Sequence, residues 1–185
     1  MHGWGGSPEE GWRPWLKTEL EKRGFEVYVP AMPDTNYPKL DAWLNQLAKT
    51  VGAPDERCFF VGHSLGCITI LKYLEGLSDG QKIGGVVLVA GFTDMEIIVG
   101  EDENIDIISN FFKTGVDFEK VKSHCEKFVA IHSDNDPYVP LRYGDIFKEK
   151  LNAEVIIKEN MRHFSGDDGI NELPCGLDAV LRISQ

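Results

Sequence analysis

One serine, a pair of aspartates and one histidine are the residues whose types and surroundings could do chemistry. Ser64 stands in Gly62-His63-Ser64-Leu65-Gly66, after the apolar run Cys58-Phe59-Phe60-Val61 and before Cys67, Ile68, Ile70 and Leu71 at helical spacing. The stretch reads as strand, sharp turn and helix. A hydroxyl on so tight a turn sits on strained backbone, and the residues two before and two after must be small for strand and helix to close. Gly62 and Gly66 meet that need. The start of a helix also has free backbone N–H groups, so Ser64 is a candidate nucleophile and the amide of Leu65 a candidate oxyanion donor. Gly-x-Ser-x-Gly alone arises by chance in ordinary chains, so the case depends on partners.

In open α/β sheets, reactive groups collect in loops past the carboxyl ends of strands. Two loops qualify: Ser133-Asp134-Asn135-Asp136-Pro137-Tyr138-Val139-Pro140, and Met161-Arg162-His163-Phe164. The order serine, acid, histidine is the one this architecture uses, which pairs Ser64 with Asp136 and His163. His163 would act as general base and then acid, since an imidazole near its ordinary pKa can do both. Asp136 would fix its tautomer and stabilise the imidazolium. Pro137 and Val139 favour Asp136, while Asp134 stays open as the alternative acid, and either could be a plain turn residue. A surface histidine is the plain alternative for His163. Of the others, His63 fills the variable elbow position, His124 an irregular segment, His132 a strand and His2 the opening loop. That loop, Gly-rich from Gly3 to Gly6, lets backbone approach a substrate closely. Trp4 is the expected second oxyanion donor, a flexible terminus being the plain alternative.

The elements that must position these residues alternate. Trp12, Trp15, Leu16 and Leu20 mark a helix within residues 9–23, and Phe25, Val27 and Val29 alternate as a strand. Leu40, Trp43, Leu44, Leu47 and Val51 mark a second helix. Beyond the elbow helix (65–77), residues 85–90 form an unbroken apolar run, which implies a strand covered on both faces and hence a parallel sheet. Residues 91–126 read as a small cap or a crossover segment, with 101–104 a solvated turn and short helices over 106–112 and 118–125. Strands over 127–133 and 153–158 and helices over 143–151 and 174–183 follow. The expected fold class is a doubly wound α/β domain, a mostly parallel sheet with helices on both faces.

With 185 residues, one domain over 1–185 is expected. The net charge of −11 argues against nucleic acid and anionic membrane as partners. Cys58, Cys67, Cys125 and Cys175 have neither paired nor metal-ligand spacing and read as reduced thiols. With no leader-like start and no run of membrane-spanning length, a cytoplasmic location is expected.

Five separated motifs occur in order: the 2–8 loop, Pro30-Ala31-Met32-Pro33-Asp34, the elbow, the 133–137 loop and His163-Phe164. Together they resemble the small serine hydrolases of the retinoblastoma-binding-protein-nine and YdeN type, over nearly the whole chain. The resemblance implies a compact α/β-hydrolase fold and a triad carried onto Ser64, Asp136 and His163. It also implies hydrolysis of small ester or related acyl substrates through an acyl-enzyme, with no metal and no cofactor. Thioesterase and peptidase activity share that fold. Family members have a strand ahead of the His-Gly loop, whereas this sequence opens at Met1-His2, so a truncated first strand is expected. Arg162 stands where a small residue is common. The namesake's Leu-x-Cys-x-Glu motif is absent, since Thr69 and Leu177 occupy the glutamate place. The alternative from another class is a catalytically idle binding or scaffold module on the same fold.

Overall fold

Four apolar runs pair into one sheet in the computed structural model, which describes residues 1–96 and 105–185. Strands β1 (Phe59–His63), β2 (Gly85–Val89), β3 (Phe128–Ser133) and β4 (Glu154–Lys158) lie in the order β1-β2-β3-β4, every pairing parallel. Phe59 faces Gly85, Val86 faces Phe128 and Val129 faces Glu154, so all four carboxyl ends emerge on one side. Every residue of β2 is buried. Its side chains divide by parity, Val86 and Leu88 entering one core and Val87 and Val89 the other.

Among the described residues, six α-helices cover the two faces: α1 (Arg13–Glu21), α2 (Leu40–Val51), α3 (Leu65–Glu75), α4 (Phe118–His124), α5 (Arg142–Leu151) and α6 (Pro174–Ile183). Trp43, Leu71, Val121 and Phe147 bring α2 to α5 into the first core, while Leu16 and Val180 bring α1 and α6 into the second. The fold is therefore the expected parallel α/β sheet with helices on both faces. Pro14, in the first turn of α1, lacks an N–H that would be unpaired there anyway, which accounts for a start at Arg13 rather than Glu9. Between β2 and β3 run a 3₁₀ helix (Ile105–Phe111) and α4, which packs against α3 and α5. Asn110 ties the 3₁₀ helix to the start of α2, accepting from the Leu40 amide and donating to the Pro38 carbonyl. Residues 101–104, read above as a turn, lie outside the described residues.

Residues 25–29 correct the sequence reading: they form no strand. Alternation can propose a strand, but a ladder needs a neighbour. Even-numbered residues of β1 face β2, as the bonds from Ser64 N to Val89 O and from Gly84 N to Cys58 O show. The odd-numbered ones face the opposite edge, where Met1 supplies one rung: its amine donates to Val61 O at 2.6 Å and its carbonyl accepts from His63 N at 3.0 Å. Beyond that rung, a groove of about 820 Å³ separates residues 25–30 from residues 58–61, with Leu16 and Leu20 among its lining. The groove's lining does not include Ser64, Asp136 or His163.

Candidate active site

β1 ends one residue before Ser64 and α3 begins one residue after it. Squeezed between them, Ser64 takes φ 53° and ψ −123°, a left-handed backbone that L side chains avoid. The flanking glycines permit it for different reasons. A Cβ on Gly62 would lie 2.8 Å from Ile70 Cδ1 and 3.0 Å from Cys67 Cα, so it would wedge strand from helix. A Cβ on Gly66 would lie 2.7 Å from His2 O and 2.9 Å from Met1 O, so this glycine admits the opening loop.

Three loops bring the candidate side chains into one line. The Ser64 hydroxyl lies 3.0 Å from His163 Nε2, and His163 Nδ1 lies 2.9 and 3.1 Å from the two carboxylate oxygens of Asp136. A carboxylate accepts, so Nδ1 carries the proton and Nε2 is free to accept from Ser64 Oγ. Asp136 sits past the end of β3, its side chain 1% exposed, and its Oδ1 also accepts from the amides of Tyr138 and Val139. Asp134, the alternative acid, caps a different strand end: its Oδ1 accepts from Asn160 N at 2.8 Å. Tyr138 stands edge-on to the His163 ring at 5.1 Å and is half exposed.

The opening loop lies over the nucleophile. A Cβ on Gly3 would be 2.9 Å from Ser64 Cβ and 3.3 Å from its Oγ, a contact that only glycine allows. His2 fastens the loop from beneath, fully buried, with Nδ1 donating to Gly3 O and Nε2 accepting from Met32 N. That pair of bonds requires the neutral ring, and burial holds its pKa below the usual imidazole value. Trp4 is tied by its indole N–H to Asn36 O, and Gly5 N to Thr35 O. Leu65 opens α3, so its amide has no intrahelical acceptor and is available beside Ser64.

Sequence reasoning passed over two groups at this site. His63, read as variable filler, is buried and donates from Nε2 to the His163 carbonyl at 2.7 Å. Asp168 accepts from the amides of His163 and Ser165, from Ser165 Oγ and from Arg162 Nε. Arg162 is thereby drawn into an ion pair with Asp168 at 2.9 Å. The role of His63 leaves no signal in local sequence, because its partner stands a hundred positions away, whereas the partners of Asp168 all lie within six residues of it.

The chain is 28% identical over 180 residues to the putative hydrolase YdeN of Bacillus subtilis, covering 97% of this chain and 92% of that one. It superimposes on the crystal structure of the ydeN gene product with a TM-score of 0.90, across 98% of this chain and 95% of that one. Against the serine hydrolase RBBP9 of Rattus norvegicus it is 26% identical over 168 residues, covering 90% and 85%. An esterase structure, RhEst1 from Rhodococcus, shares the fold at a TM-score of 0.62 and 16% identity, covering 100% and 89%. The family described as serine hydrolase matches residues 1–182. A match of that extent, running from the loop above the strained serine through the histidine beside it, places this chain in the serine hydrolase family.

Proposed function

We propose that the chain hydrolyses small carboxylic esters or related acyl compounds through an acyl-enzyme on Ser64. His163 Nε2 takes the proton as Ser64 Oγ attacks the carbonyl carbon, and Asp136 stabilises the imidazolium that forms. The amides of Leu65 and Trp4 receive the oxyanion. Collapse expels the alcohol, which leaves with the proton from His163. Water, activated by the same imidazole, then releases the acid and frees the serine.

The observation that carries this reading is the unbroken line from Ser64 Oγ through His163 to Asp136, at 3.0 and 2.9 Å, on a left-handed serine at a helix start. The contact of Gly3 with Ser64 supports a donor from the opening loop. A fluorophosphonate probe should label the parent chain at Ser64, and p-nitrophenyl acetate or butyrate should be turned over. Ser64→Ala should lose both. Equal labelling of parent and variant would sink the assignment, and an inert parent would favour the idle-scaffold alternative.

A further inference from the structure

The candidate base is carried on a loop whose backbone is unfavourable in isolation. Asn160, Arg162 and Phe164 have φ of 57°, 47° and 56°, three left-handed non-glycine residues in alternation. Such conformations persist only where surrounding structure over-determines them. Here the restraints can be named: Ser133 Oγ and Asn135 Oδ1 accept from the amides of Met161 and Arg162, Asp168 from that of His163, and Trp12 Nε1 donates to Phe164 O. All of these hold the loop to the β3 end, to itself or to α1's approach. None refers it to the nucleophile.

His63 does. We infer that His63 is a positioning residue, setting the reach between base and nucleophile by bonding the backbone carbonyl of His163 from the residue next to Ser64. The inference rests on the reading of Ser64, His163 and Asp136 given above. A carbonyl can only accept, so Nε2 of His63 carries its proton, and the bond is 2.7 Å long. The ring is held in turn, edge-on to Trp12 at 5.9 Å and tilted against the His163 ring at 5.0 Å. Burial and the nearby His163 both keep His63 neutral, well below the ordinary imidazole pKa. Neutrality suits the place, since a second charge there would oppose the imidazolium on which the reaction depends. One peptide bond separates this donor from Ser64, so the strained elbow and the strained loop are registered to each other through one short strut.

The test compares His63→Ala with His63→Gln, whose side-chain N–H can reach about where Nε2 lies. In His63→Ala, kcat for p-nitrophenyl butyrate should fall about 10- to 100-fold with KM within about twofold, as expected for a base displaced by an ångström or less. Fluorophosphonate labelling should slow in step. Hydrogen exchange across residues 160–165 should quicken in His63→Ala, and His63→Gln should recover most of the rate and the protection. A parental kcat in His63→Ala overturns the inference, as does equal impairment of both variants, which would mean that only ring packing matters. Ser64→Ala separates the two readings. If the parent itself neither turns over nor labels, the triad reading fails, and loop exchange alone decides whether His63 holds residue 163.

Discussion

Asp134 and Asp136 are two positions apart in one loop and have separate tasks. The carboxylate of Asp136 is nearly inaccessible to solvent and accepts from His163 Nδ1 and from two amides, whereas Asp134 is exposed and caps Asn160. Asp136→Asn keeps the shape but can turn an N–H toward Nδ1, which favours the tautomer whose Nε2–H points at Ser64. With p-nitrophenyl butyrate, kcat should fall on the order of 10⁴-fold, the loss that the same change causes in a serine triad. Asp134→Asn keeps a carbonyl oxygen for Asn160 and should stay within about threefold of the parent, as surface changes usually do. The reverse ranking would move the acid to Asp134. Sequence could name both candidates and their loop, because serine, acid and histidine follow one order in this architecture. It could not separate them fully, since each also reads as a turn residue, and it could not reveal His63, whose partner is fixed only by folding.

Among the elements, those with their own neighbours were legible and the one without was not. The unbroken run in β2 announced a strand covered on both faces, and the heptad-like spacing in α2 announced its buried face. Residues 25–29 have the pattern of a strand yet run without a ladder, because among the described residues the β1 edge they approach is bonded by Met1 alone. In a parallel ladder, the amide of Val61 and both backbone groups of Phe59 point across the groove. A strand laid there would pair with that edge and cover Leu16 and Leu20, which line the same groove. Fusing five β-branched residues ahead of Met1 should therefore raise Tm by about 5 °C or more, at ~2–4 °C per kcal/mol for a chain of this size. The same extension with proline at its centre removes a ladder donor and should lose most of the gain. Thermal melts followed by circular dichroism decide it. No rise, or an equal rise with proline, would show that the groove does not take a strand.

At the scale of the whole molecule, the Met1 amine and the rings of His2, His63 and His132 have folded-state pKa values below their ordinary ones, and all press stability in one direction. Desolvation is the largest cause in each: the Met1 amine falls from 8.0 to about 5, His132 from 6.5 to about 4, and His2 and His63 are lowered as well. Between the two pKa values of such a group the unfolded chain binds the proton and the folded chain does not, so stability falls as pH falls. For the amine, the window runs from about pH 8 down to about 5 and corresponds to roughly 4 kcal/mol at ~1.4 kcal/mol per unit. The histidines act lower, from 6.5 downward, and His132 adds a ring whose two nitrogens have no partner among the described residues. Relief of the −11 net charge works the other way, but it needs carboxylates to protonate, below about pH 5. Urea midpoints should therefore drop between pH 8.5 and 6.5 for a chain with a free amine at Met1. Acetylation keeps an N–H for Val61 O and removes the charge, so the acetylated chain should be flat over that interval and weaken only below it. If both forms lose stability equally between pH 8.5 and 6.5, the amine is not the group that titrates.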